Sequence, residues 1–504
     1  IAEYKGVFGK HDINVLGGWS AEENLYEDLQ GKRTNIVGNE LPALNLGDTD
    51  GWSNAADENE WALLSGFMRA SYAFAAKYLV EVNFRADASS RFSKKNRWGV
   101  FPSASVGWRI TEEKFMQNQH IFDNLKLRAS WGQLGNQNGL GLYDHIASYN
   151  INGYYPFKSE LGQWAVISKL PSESRTWETV EVKNIAVDMA FLRNRLTVTG
   201  EYFIKKNKDM LVSIEIPSII GIDVPTGNYG ELKVKGWEVT VGWQDKIKDF
   251  SYGARFNLSD QKDKLVDYGV EYNGFVAGVN QKVQGYSLGS IFGYRTDGYF
   301  TSEEEVKNSA AFNKAITGVG DIKYIDKDGD GKISAPNDLE YLGTTTPRYT
   351  FGLNLTAAWK GFDLGVLLQG VGKRNFYLSS EVMNPYYATW NNFSYKMHND
   401  YWTPENPNAA FPRYYAGANH NYQISDHWLQ NAAYVRLKNL QLGYTISPKL
   451  TKSWGIQRLR VYFSGDNLCE YSKLNDNFDP ELSDINGYVY PIMRNFSFGI
   501  NVTL

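Results

Sequence analysis

Short extended stretches, apolar at every second residue, recur along this chain and limit what it can fold into. Phe496–Leu504 is representative: Phe496, Phe498, Ile500, Val502 and Leu504 alternate with Ser497, Gly499, Asn501 and Thr503. Successive strand side chains point to opposite faces, so each stretch has one greasy and one wettable side. Tyr78, Val80, Val82 and Phe84 alternate in the same way with Leu79, Glu81, Asn83 and Arg85. A soluble sheet can pack such a face on a core. Roughly 9–11 residues of tilted strand also suffice to cross a bilayer's hydrocarbon layer.

The stretches come in pairs. Tyr4–Phe8 turns at 9–11 into Ile13–Trp19, and Gly66–Phe74 turns at 75–77 into Tyr78–Ala86. Val100–Arg109, Leu125–Trp131, Ile185–Phe191, Leu196–Ile204, Trp237–Trp243 and Phe250–Leu258 continue the series. Tyr349–Trp359 and Phe362–Leu368 flank Lys360-Gly361, and three last strands are predicted near 432–446, 458–468 and 490–504. The strand at 432–446 alternates poorly around Arg436 and Lys438, which leaves its register open. The count is roughly fourteen or fifteen strands, in the range of closed membrane barrels. Short turns alternate with long polar connections, read at about 20–60, 132–175, 262–346 and 374–430. Short turns on one side and long loops on the other are the pattern of an antiparallel transmembrane β-barrel. A soluble sandwich shows similar strands but seldom gathers its long loops at one end. Unpaired strand edges are costly in lipid, so such a barrel must close, and if strands are missing upstream this chain must close against them.

Composition removes other classes. Charged residues make up 21% of the chain and no run of about 18 apolar residues occurs, which excludes a helical membrane protein. Aromatic content is high, with 33 Tyr, 26 Phe and 15 Trp, as expected of strands ending in aromatic girdles. A net charge of -4 without a basic stripe gives no sign of a nucleic-acid partner. The single cysteine, Cys469, allows no internal disulfide. Ile1 is preceded by no initiator Met or signal sequence, and the chain reads as a fragment or processed product.

Specific motifs then narrow the class. Ser89-Ser90-Arg91-Phe92, Phe101-Pro102-Ser103, Trp177-Glu178-Thr179 and Gly227-Asn228-Tyr229-Gly230 occur in order. They are followed by Lys235-Gly236-Trp237-Glu238, the run from Tyr401 to Pro407, Ser425-Asp426-His427-Trp428 and the run from Tyr434 to Tyr444. Over nearly all of residues 60–504 this order resembles SusC/RagA-type TonB-dependent transporters of Bacteroidota. The resemblance implies a 22-stranded outer-membrane barrel with an N-terminal plug, of which this chain is the C-terminal portion. It implies uptake of oligosaccharides or peptides, energised through TonB, with a SusD-like surface lipoprotein as lid. Outer-membrane lipid and lipopolysaccharide would surround it. Leu504 departs from the terminal Phe common in outer-membrane barrels. A siderophore or vitamin receptor of the wider class, or a soluble glycan-binding β protein, stays open at this point.

Two groups of residues are candidates for binding. Asp326, Asp328 and Asp330, then Gly331 and the Lys332 carbonyl, follow the spacing of an EF-hand Ca²⁺ loop. Asn337 stands where the closing acid belongs, so Asp338 is the expected last ligand, with an ordinary Asp/Gly turn as the alternative. The loop aromatics Tyr154, Tyr155, Trp164, Tyr386, Tyr387, Trp390, Tyr414 and Tyr415 could stack on substrate, meet a lid protein or pack loops together. The six histidines lack metal-site spacing, and no nucleophile elbow, phosphate loop or dinucleotide fingerprint occurs, so no enzyme is read.

Overall fold

The structure is a computed structural model. It describes residues 1–36, 38, 40, 43–158, 160–213, 219, 221–222, 226–269, 275–386, 396–415, 419–476, 478–482, 490 and 492–504. Fifteen strands, here β1–β15, are hydrogen-bonded in chain order into one sheet. They are β1 Ala2–Phe8, β2 His11–Thr34, β3 Asp48–Phe74, β4 Tyr78–Ser89, β5 Trp98–Arg109, β6 Phe122–Asn136, β7 Glu178–Phe191 and β8 Leu196–Val212. The order continues with β9 Gly227–Ile247, β10 Phe250–Asp267, β11 Arg348–Trp359, β12 Phe362–Lys373, β13 Tyr434–Thr445, β14 Arg458–Ser472 and β15 Asn495–Thr503. Among the described residues, no helix is long and apolar enough to cross a membrane.

The chain divides into two compact units. One comprises residues 1–108, 128–183 and 205–232, the other 109–127, 184–204 and 233–504. In the first, β1 to β5 pair antiparallel with their sequence neighbours. Tyr72, Val80 and Val106 form one cross-strand row and Ser71, Glu81 and Ser105 the next. The apolar row is exposed. On the polar face the Ser71 hydroxyl donates to Glu81 at 2.8 Å and the Asn83 amide donates to it at 3.1 Å. At the turn between β3 and β4, Ala75 and Ala76 both adopt positive φ, the geometry of a tight hairpin.

The second unit repeats this arrangement across six strands. Tyr252, Ala357, Leu364, Leu442, Phe463 and Phe498 form an apolar row through β10 to β15. One residue along, Gly253, Thr356, Gly365, Gln441, Ser464 and Ser497 form a polar row. Phe498 is 84% exposed, and Leu442 and Leu364 are exposed too, so among the described residues no second layer covers this greasy face. The irregular alternation of β13 has a local cause. Its pairing breaks at Lys438 on both sides: against β12 Lys438 is the extra residue of a β-bulge, and against β14 the extra residue lies in β14, between Asp466 and Cys469.

The expected connections gain structure of their own. The segment read as a polar loop at about 20–60 is a two-stranded ribbon, with β2 and β3 paired from Trp19↔Gly66 to Lys32↔Ser53. Polarity misled there, because a ribbon wet on both faces still closes its backbone hydrogen bonds across the hairpin. The connection at 132–175 holds a hairpin of Ser148–Phe157 and Glu160–Lys169. The two later connections build a folded cluster.

Candidate functional site

The loops between β10 and β11, between β12 and β13, and after β14 share a hydrophobic core. Tyr294, Ile322, Leu339, Phe376, Val382 and Trp428 are buried together, and Trp428 is 1% exposed. The loops are joined by main chain as well: Tyr294 N–H donates to Ile424 C=O at 2.8 Å. Two carboxylates act as knots. Asp426 accepts from the Thr296 N–H at 3.0 Å and the Thr296 hydroxyl at 2.7 Å. Asp321, fully buried, accepts from Gly318 N–H, the Tyr415 hydroxyl and the Asn421 amide at 2.8–2.9 Å, and lies 3.0 Å from His420 Nε2. A buried carboxylate is tolerated only when so supplied with donors. Sequence reading missed Asp321, since its partners lie about a hundred residues away.

The histidines serve the same packing. His398 Nε2 lies 2.9 Å from the Val382 carbonyl and His427 Nε2 lies 3.1 Å from that of Ala410. Burial lowers the pKa of both rings, against the opposing pull of those carbonyls.

The Asp326–Asp338 loop brings part of the expected ligand set together. Carboxylate oxygens of Asp326, Asp328 and Asp338 lie within 4.8 Å of one another, the single such acidic group among the described residues. Asp330 is not in that group, and its carboxylate accepts from Lys332 N–H at 2.8 Å. Gly331, at φ 84°, makes the sharp turn the spacing predicted. Asp326 accepts from the N–H groups of Gly331 and Gly329, which hold its carboxyl below the usual range. Asp338 is buried and accepts from Lys327 and Ser334 N–H at 2.7 Å each.

The loop aromatics fall into two sets. Tyr154, Tyr155 and Tyr386 are exposed. Trp164 is half-buried, with its indole over Gly153, where a Cβ would come within 2.0 Å of the ring. Tyr414 donates to the His398 carbonyl at 2.8 Å, and Tyr415 donates to Asp321 and lies under the Arg413 guanidinium. These two stitch loops together. Tyr387 and Trp390 lie outside the described residues.

The first unit has its own clamp. Asp144 bridges Lys169 at 2.9 Å and the buried Arg175 at 2.6 Å, and Arg175 donates to the Thr226 carbonyl at 2.6 Å. Burial works against the Asp144 charge, but hydrogen bonds from Lys169, Gly141 N–H and Arg175 outweigh it and bring its pKa to about 2. Phe92, Phe101, Leu140 and Trp177 form a small core beside it, with the Trp177 indole donating to the Arg97 carbonyl at 2.8 Å.

The polar face is held by side-chain bridges. Arg460 spans two strands to Asp363 at 2.9 Å and also donates to Gln441 at 3.1 Å. Gly443 sits between them, where a Cβ would come within 2.6 Å of both partners. A groove of about 890 Å³ runs over this face, lined by Thr197, Thr199, Ser251, Arg255, Asn354 and Thr356. Taken together, the strands are greasy on one side and polar on the other, and the long loops fold into caps.

Known proteins share this arrangement. The family described as TonB dependent receptor-like, beta-barrel matches residues 4–468. TonB-dependent receptor P26 of Formosa agariphila is 30% identical over 530 aligned positions, covering 99% of this chain and 52% of that protein. TonB-dependent receptor SusC of Bacteroides thetaiotaomicron is 28% identical over 87% of this chain and 43% of its own length. The RagAB peptide importer in its closed-closed state superposes with a TM-score of 0.84 at 24% identity, covering 99% of this chain and 54% of that one. The chain thus spans about half the length of the curated relatives it matches. The family is one of receptors rather than of enzymes. A chain built mostly of antiparallel strands, with one lipid-compatible face and a family match over most of its length, belongs to the TonB-dependent receptor β-barrels of the bacterial outer membrane.

Proposed function

We propose that this chain is the C-terminal barrel portion of a nutrient importer that takes up oligosaccharides or peptides under the control of TonB. The plug and the remaining strands would come from the upstream part of the same transporter, and a SusD-like surface lipoprotein would cover the mouth. The observation that carries this reading is the pairing of a strand wall exposed on its apolar face with long loops folded around Trp428 and Asp321. A wall of that kind suits lipid on one side and a watery path on the other. Prefolded loops suit a protein that must present a fixed surface to a lid. Tyr154, Tyr155 and Tyr386 are the exposed aromatics of the set and would meet cargo, whereas Tyr414 and Tyr415 are engaged within the loops. The test is uptake of labelled oligosaccharides and peptides by cells carrying the whole transporter with its lipoprotein. Uptake should stop when the transporter, the lipoprotein or TonB is deleted. Unchanged uptake without TonB overturns the reading.

In the same reading the Asp326–Asp338 loop holds a structural Ca²⁺. Asp326, Asp328 and Asp338 fit as carboxylate ligands and the Lys332 carbonyl fits by spacing, whereas the Asp330 carboxylate faces its own backbone. The ion would pin the loop between β10 and β11 to its core. Calcium titration of the whole transporter, read by calorimetry and by protease resistance of this loop, tests it. Protection that is the same with chelator and with calcium counts against the site.

A further inference from the structure

The outward face at the short-turn ends of β12 to β15 carries a depression that substrate import does not use. Two apolar rows cross these strands: Phe362, Tyr444, Val461 and Ile500 in one, Leu364, Leu442, Phe463 and Phe498 in the other. Val461 is the small member between rings. Phe362 and Tyr444 lie together at 4.6 Å on one side, and Phe463 and Phe498 at 5.3 Å on the other. Between them is an apolar notch of about 460 Å³. A row of aliphatic and aromatic side chains around a small residue is the shape that accepts a hydrocarbon chain.

Its rim is cationic. Thr445 N–H donates to Gly361 C=O at 2.7 Å and Ile446 N–H to Leu459 C=O at 2.9 Å, so the 446–457 connection starts directly at the notch. That connection contains a one-turn helix, Pro448–Thr451, and the 3₁₀ turn Lys452–Trp454. It exposes Leu450 and Trp454, carries Lys449 and Lys452, and has no acidic side chain. Arg458 follows at the start of β14, and in the neighbouring turn Lys360 lies over the Trp359 ring at 5.4 Å. Asp363, the nearest acid on these strands, is engaged by Arg460 on the polar face. Exposed Trp and Leu beside lysines mark the depth where acyl chains meet headgroups. In barrels of this family the short turns face the periplasm, where the leaflet is phospholipid.

We propose that this notch and its lysines bind one anionic phospholipid of the periplasmic leaflet. The acyl chain lies over Val461 and Ile500, and the headgroup phosphate sits among Lys360, Lys449 and Lys452. The charge of the rim selects the headgroup, because clustered lysines attract anionic lipid at this depth.

The experiment uses the whole transporter, delipidated and titrated with phosphatidylglycerol or phosphatidylethanolamine, with bound lipid counted by native mass spectrometry. Wild type should retain phosphatidylglycerol in clear preference. Val461→Trp, which fills the notch, should lower retention of both lipids several-fold. Lys449→Glu with Lys452→Glu should abolish the preference while leaving weak binding. Heat-modifiable gel mobility reports that each variant is folded, and the lysine pair decides alone if Val461→Trp does not fold. Equal retention of the two lipids by wild type, or unchanged preference in the lysine variant, overturns the assignment. Lipid counting needs no cargo, so failure of the import reading leaves this result independent.

Discussion

The strand wall and the loop cluster of the second unit use apolar residues in opposite ways. In the wall, Leu442, Phe498 and Ile500 stand exposed along one face, while in the loops Trp428, Leu339 and Val382 are buried among one another. The loop cluster therefore folds by the ordinary hydrophobic effect in water. The wall keeps its greasy side bare, which is stable only where lipid replaces water. One chain thus carries two solvents' worth of design, and the boundary falls where strands give way to loops.

Breaking the loop core should have the largest effect. Trp428→Ala removes a fully buried ring and should cost about 3–5 kcal/mol of loop stability. Faster thermolysin cleavage between residues 275 and 433 should appear while the barrel band keeps its heat-modifiable mobility. Loss of that mobility would show that wall and loops do not fold as separate entities. Next comes the wall. Val198→Arg puts charge on the apolar face and should cost about 2–4 kcal/mol near mid-bilayer. Thr199→Arg, one residue on and in the polar groove, should leave the folded fraction unchanged. Equal loss from both in a membrane-assembly assay would mean that the two faces have been assigned wrongly.

The clamp of the first unit should respond to acid. Asp144 has its folded pKa lowered to about 2, below the value near 3.9 expected when unfolded. Its contribution is therefore present above about pH 4 and lost as pH falls toward 2. Pepsin cleavage within 141–178 should rise over that window, and Asp144→Asn should be cleaved at an equal rate across it. The smallest difference is expected at the acidic loop. Asp338→Asn should weaken calcium binding more than Asp330→Asn, because Asp330 lies outside the carboxylate group.

The wall was legible because strand periodicity is local. Val80 against Glu81 and Phe498 against Ser497 declare opposite faces wherever the chain lies, and the fifteen-strand sheet follows from them. Aspartates spaced for a turn were legible for the same reason, and three of the four came together. The ribbon of β2 and β3 was missed because neither of its faces is buried beyond Trp19, so polarity resembled a loop. The register of β13 was lost at Lys438, where a bulge against β12 adds a residue that no pattern announces.

By itself the sequence determined the strand repeat, the lipid-facing side of the regularly alternating strands, and the family to which the chain belongs. Each rests on the order of neighbouring residues. Only the tertiary structure decided that Asp321, His420 and Tyr415 meet, that Tyr414 is spent on packing while Tyr386 stays exposed, and that a notch opens over Val461. Those are contacts between residues far apart along the chain, and they exist only once hydrogen bonding and burial have brought the strands and loops together.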